Sequence, residues 1–185
     1  MVAVWITSFT RVRRRARASE QELGVMRNVA YVDKLCGVRN RHAWAQWQEE
    51  LDDRIARGIQ QPFAIVVADL NDLKKVNDTL GHTAGDAYIK AASEVICDTF
   101  AHSPVFRTGG DEFCVVLERP DLEMRDSLME RLYSTRDNDH MEGEPSISVG
   151  LSLFDPERDY SSTPVYERAD AAMYAYKREI KRERT

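Results

Sequence analysis

The chain has 185 residues, 43% of them hydrophobic, which is enough for one core and leaves room only for a short appendage. Its net charge of −5 is uneven: residues 1–18 hold five arginines and no acid, so the rest stands at −10, the total less that +5. An acidic body argues against nucleic-acid binding and suits a site that holds cations, and 31% charged residues beside this apolar content excludes a disordered chain.

Residues 1–18 form a basic N-terminal tail. The apolar run Val2–Phe9 precedes the arginines Arg11–Arg17. It is about half as long as a membrane span, and the order is the reverse of a signal peptide's. A solvated tail, a short amphipathic anchor and the cytoplasmic end of a truncated membrane segment all remain open, the first being preferred. Weak contact of Arg11–Arg17 with a membrane or a partner is the corresponding expectation. Cys36, Cys97 and Cys114 are odd in number and show no zinc spacing, which suits reduced thiols. The expected location is the cytoplasm, with the inner face of the membrane as a variant.

Residues 19–32, with Leu23, Met26, Val29 and Ala30, read as a leading helix, and residues 33–185 as the functional domain. Asp33 to Arg41 reads as a turn with Gly37 as a C-cap. Asn40 can cap the next helix, whose Trp44, Trp47, Leu51 and Ile55 recur at three- and four-residue steps to about Arg57. Phe63–Ala68 is a continuous apolar run, hence a central strand, and it ends at Asp69. Leu70 to Thr79 reads as a compact polar connection, followed by a helix over about 84–100. Val105–Phe106 and Phe113–Leu117 read as a hairpin through Gly109-Gly110, whose adjacent glycines accept the positive φ of a tight turn. A helix over 120–134, a loop over 136–145, a strand over 146–154 and a helix over 164–182 complete the chain. This order predicts an α+β fold, a mostly antiparallel central sheet flanked by helices. The hairpin lies beside the first strand, so Asp69 comes near Asp111.

Asp111 and Glu112 beside a Gly-Gly turn repel unless a cation or a proton offsets them. The pattern fits nucleotide chemistry and also ordinary turn grammar. Asp69 reads either as a strand-ending cap or as a metal ligand. In the second reading Asp69 and Asp111, with the Leu70 carbonyl, suit Mg²⁺, which takes one or two carboxylates plus substrate phosphates.

Four stretches then carry a resemblance. They are Asp33-x-Leu-x-Gly-x-x-Asn40-Arg41, the run Asp69-Leu-Asn-x-Leu-Lys74-x-x-Asn77-Asp78-x-x-Gly81-His82-x-x-Gly85-Asp86, Arg107-x-Gly-Gly-Asp-Glu-Phe113 and Ala169-Asp170-x-Ala172-x-Tyr174-x-x-Lys177. Together they resemble the GGDEF domain of diguanylate cyclases over about residue 30 to the C-terminus. The resemblance implies a palm-type, ferredoxin-like fold of the class III nucleotidyl cyclase kind. The implied activity is a nucleotidyltransferase condensing two GTP into cyclic di-GMP with release of pyrophosphate. It implies Mg²⁺ or Mn²⁺, two per GTP, and a homodimer of GTP-loaded half-sites. The implied metal ligands are Asp69, Leu70 (carbonyl) and Asp111, and the implied catalytic residues are Asp111 and Glu112. Asn77 and Asp86 would read guanine. The Leu73 backbone, Lys74, Lys177 and Lys181 would hold phosphates, and Gly109 and Gly110 would form the turn.

Departures from the family pattern are Cys36 for threonine, Asn71 and Leu73 for aspartate and phenylalanine, and Ile180-Lys181 for Gly-Arg. Phe100 and Ser103 stand where an inhibitory product site has arginine and aspartate, so no such site is expected. A catalytically silent GGDEF domain that binds GTP as a sensor or contacts a partner is the alternative, and a different cyclic nucleotide product is a third reading.

Overall fold

The computed structural model describes residues 30–137 and 142–183. The expected basic tail and nearly all of the expected leading helix lie outside the described residues. Five helices and five strands follow. They are β1 (Arg39–Asn40), α1 (Arg41–Ala56), β2 (Ala64–Leu70), α2 (Leu73–Leu80), α3 (His82–Thr99), β3 (Val105–Arg107), β4 (Glu112–Leu117), α4 (Arg125–Tyr133), β5 (Ile147–Leu153) and α5 (Thr163–Glu183). The sheet runs β1-β3-β4-β2-β5, with β1 parallel to β3 and every other pair antiparallel. The expected mostly antiparallel sheet, with the hairpin beside β2, is present.

Side-chain alternation divides the core into two layers. Ala64, Val66, Ala68 and Leu70 face α3 and α4, packing with Tyr88, Ile96, Met129 and Leu132. Ile65 and Val67 face the opposite way, against Trp44 and Leu51 of α1 and Val165, Ala169 and Met173 of α5. All seven residues of β2 are buried, because helices cover both faces of the sheet. Asn40 caps α1 as expected, its Oδ1 accepting from the backbone N–H of His42 (3.0 Å) and Ala43 (3.1 Å).

Three expectations are corrected. The polar connection after β2 holds an eight-residue helix, α2, because Leu73, Val76 and Leu80 still give it an apolar stripe, with Val76 buried. The helix expected from Pro120 starts only at Arg125; Pro120–Met124 forms successive turns whose Asp121 carboxylate accepts from His102 N–H (3.1 Å) and Ser103 Oγ (2.7 Å). Neither Gly109 nor Gly110 has positive φ, so the hairpin turn does not need glycine for that reason.

Near its N-terminal end, α5 is fastened to the sheet by Arg168. Its guanidinium donates to both oxygens of Asp159 (2.8 and 2.7 Å), to Ser152 Oγ (3.0 Å) and to the Leu153 carbonyl (3.0 Å). Asp159 is buried and also accepts from the Asp155 N–H at 2.8 Å. Hydrogen bonds from Arg168 hold its carboxyl below the ordinary range. No described helix is long and apolar enough to cross a membrane.

Candidate active site

The site forms at one end of the sheet, where register sets its first contact. Asp69 of β2 lies opposite Glu112 of β4 on one side and Ser148 of β5 on the other. Directly opposed residues project to the same face with Cβ atoms roughly 4.5–5.5 Å apart, and like charges there destabilise the pair. That face is the one α5 covers. Asp111 joins through the backbone, its carbonyl accepting from the Leu70 N–H at 3.0 Å.

The electrostatics follow from this crowding. Burial pushes the Glu112 carboxyl up, and the charges of Asp111, Asp69 and Asp170 push it further. Burial also raises the Asp69 carboxyl, against the opposing pull of Lys177, whose Nζ donates to Asp69 Oδ1. An ammonium ion already sits on the buried aspartate. The donor set, two carboxylates and a carbonyl, suits a hard divalent ion that completes its shell with phosphate oxygens. Among the described residues no group of three or more His, Cys, Asp or Glu side chains is arranged to hold a metal alone. A divalent ion held by Asp69 and Asp111 would therefore need substrate oxygens to complete its shell.

Beside the carboxylates opens a cleft of about 690 Å³. Its walls include Leu70, Leu73, Lys74, Asp111, Lys177 and Lys181, so most of the expected metal and phosphate residues meet around one space. Asp69 is tied to it through Lys177. Asn77 and Asp86, the expected base readers, do not line this cleft; they lie on α2 and at the start of α3. Phe100 is buried in the core, and Ser103 Oγ is engaged by Asp121.

Several supporting residues had no assigned role in the sequence reading. Asn71 is buried; its Oδ1 accepts from Ser148 Oγ (2.8 Å) and its Nδ2 donates to Ser146 Oγ (3.1 Å). Tyr88 Oη donates to the Asn71 carbonyl (3.1 Å) and accepts from the Ser146 N–H (2.9 Å). This network pins the loop whose next residue, Asp72, takes the left-handed conformation at φ 59° before α2 begins. Asn71 is legible as a motif position, whereas Tyr88 carries no sequence signal beyond its place on an apolar helix face.

Arg107 connects the signature turn to the start of the domain. It donates to Asp33 Oδ1 (3.1 Å) and to the Gly110 carbonyl (2.6 Å). Asp33 also accepts from Leu35 N–H, Cys36 N–H and Cys36 Sγ. Gly109 has a steric role instead of a conformational one. A Cβ there would stand 2.8 Å from Glu112 Oε2, so its absence lets the carboxylate fold back over the turn.

The family described as "Diguanylate cyclase, GGDEF domain" matches residues 30–183. The chain belongs to the GGDEF domain family. It is similar to diguanylate cyclase DgcP of Pseudomonas aeruginosa, 33% identical over 171 residues, covering 88% of this chain and 25% of that one. It is likewise similar to cyclic di-GMP phosphodiesterase PdeR of Escherichia coli, 32% identical over 177 residues, 93% of this chain and 26% of that one. The chain thus spans about a quarter of the length of these curated relatives. Among solved structures, the coiled coil and GGDEF domain of DgcB from Caulobacter crescentus, in complex with c-di-GMP, superposes with a TM-score of 0.77. It is 25% identical, and 94% of each chain is covered. This GGDEF domain has the palm-like fold of the nucleotidyl cyclases.

Proposed function

We propose that this domain condenses two GTP molecules into cyclic di-GMP, with two GTP-loaded copies acting face to face. The observation that carries the reading is the opposition of Asp69 and Glu112 across the β2–β4 pair, with Lys177 reaching from Asp69 to a cleft walled by lysines and Asp111. In the reaction each ribose 3′-oxygen bonds to the α-phosphorus of the other nucleotide. The bond from that phosphorus to the β-phosphoryl oxygen breaks, pyrophosphate leaves, and the hydroxyl proton is lost. Each domain offers one such cleft among the described residues, so two must meet to align a hydroxyl with an α-phosphate.

Asp69 and Asp111, with the Leu70 carbonyl, would hold Mg²⁺ or Mn²⁺, two per GTP. Such ions would supply charge neutralisation at the phosphates and activation of the hydroxyl. Lys74, Lys177, Lys181 and the backbone at Leu73 bind and orient the triphosphate. Lys177 bridges both halves of the site, holding Asp69 and facing the phosphate cleft. Glu112, whose carboxyl burial and the nearby acids push up, would be the carboxylate nearest the chemistry. Asp86 accepts the guanine N1–H and N2 amine, a donor pair that adenine lacks, and Asn77 assists it.

The test is a mixed-nucleotide assay. Purified protein at high concentration receives GTP, ATP and Mg²⁺, and products are identified by mass spectrometry. Cyclic di-GMP alone is expected, abolished in Asp111→Ala and Glu112→Ala. GTP binding without any product would overturn the cyclase reading in favour of a silent GTP-binding domain, and a mixed or adenine-containing product would overturn the base assignment.

A further inference from the structure

Asn77 and Asp86 sit on different helices, and the structure joins them at one residue, Gly85. Gly85 is buried, in the first turn of α3, with ordinary helical φ. Glycine disfavours a helix relative to alanine, so its presence here needs another cause. A Cβ at Gly85 would stand 1.9 Å from Asn77 Oδ1, 2.8 Å from Asn77 Cγ and 3.2 Å from Asn77 Nδ2. All three nearest atoms belong to that one carboxamide. The Asn77 side chain therefore rests in the space a methyl group would fill, against the residue that precedes Asp86.

We propose that Gly85 is a positioning residue for base recognition: its missing side chain is the seat that fixes the Asn77 carboxamide next to Asp86. The inference rests on the reading of Asn77 and Asp86 as guanine-binding groups. A methyl at position 85 meets only the far end of a short side chain, which can rotate away. The fold therefore survives Gly85→Ala, while Asn77 loses its orientation.

The experiment is a double-mutant cycle on the full chain, measuring GTP and ATP affinity by calorimetry for wild type, N77A, G85A and N77A/G85A. N77A is expected to weaken GTP about five- to tenfold, the worth of one buried hydrogen bond. G85A is expected to weaken GTP by a similar factor and to leave ATP affinity unchanged, because the phosphate cleft is untouched. In the N77A background the seat is empty, so G85A is expected to change GTP affinity less than about twofold. There it should hold or raise the melting temperature, since alanine favours the helix. Should G85A alone fail to fold, the double variant still reads the coupling through that melting temperature.

Wild-type GTP affinity in G85A, multiplied losses in the double variant, an equal loss of ATP binding, or a lower melting temperature in the double variant would each overturn the inference. If N77A itself leaves GTP binding intact, the guanine reading fails and takes this inference with it. That result differs from failure of the seat alone, in which N77A weakens GTP and G85A does not.

Discussion

Helix α5 carries two ion pairs to buried aspartates, and they are built in opposite ways. At Arg168, a planar fork meets both oxygens of Asp159, with a serine, a carbonyl and a backbone N–H completing the set. At Lys177, a single ammonium meets one oxygen of Asp69, while Glu112 lies directly across the sheet and Asp111 is close enough to add to the repulsion. The first carboxyl is held below its ordinary range and the second is pushed above it. One pair satisfies its charge for stability; the other leaves charge in excess where the proposed reaction would place a cation and a phosphate. A domain that kept only pairs of the first kind would be more stable and would have no electrostatic work left to do.

The largest expected effect breaks the second pair. Asp69→Asn should lower cyclic di-GMP production by roughly a thousandfold, about 4 kcal/mol of barrier, as should Asp111→Asn. Neither should lower the melting temperature, because each relieves like-charge repulsion; product chromatography and calorimetry read the two outcomes separately. Breaking the first pair should do the reverse. Asp159→Asn is expected to cost about 2 kcal/mol, a fall of roughly 4–8 °C in Tm, with turnover below the transition unchanged.

Acid probes the same contrast more gently. The Asp159 carboxyl is depressed in the folded state, so its contribution is present above the ordinary carboxylate value of 3.8 and is lost as pH falls below it. Urea titrations at falling pH should therefore show wild type losing more stability than Asp159→Asn in that window. Equal slopes would contradict the assignment.

Arg107→Lys removes the fork that joins Asp33 to the Gly110 carbonyl, and a lysine cannot make both bonds in that geometry. A loss of about tenfold in turnover is expected, about 1.4 kcal/mol, with Tm lowered by only a few degrees. The smallest effect is at Cys36, where threonine keeps a donor for Asp33. Cys36→Thr should stay within about 0.5 kcal/mol by chemical denaturation.

Much of this was legible in the sequence because β2 is written as a continuous apolar run and α1 as a capping asparagine followed by apolar residues at three- and four-residue steps. The apolar run through Ala68 and the acid that follows it place β2 and Asp69 without any structure. Helix α2 was hidden because its apolar stripe is only Leu73, Val76 and Leu80 among polar neighbours. The role of Gly109 was misassigned because sequence suggests φ where the structure shows a carboxylate lying over the turn. Tyr88 and Ser146 act through contacts formed across 17 to 75 residues and Asp159 across 9, and side-chain pairings of that kind leave no local pattern.

The most direct test compares Asp69→Asn with Asp159→Asn in one experiment, measuring cyclic di-GMP formed from GTP and Mg²⁺ alongside Tm. Abolished product with an undiminished Tm in the first, and normal product with a lowered Tm in the second, is the predicted result. Product retained in Asp69→Asn, or a fall in its Tm to match Asp159→Asn, would contradict the account.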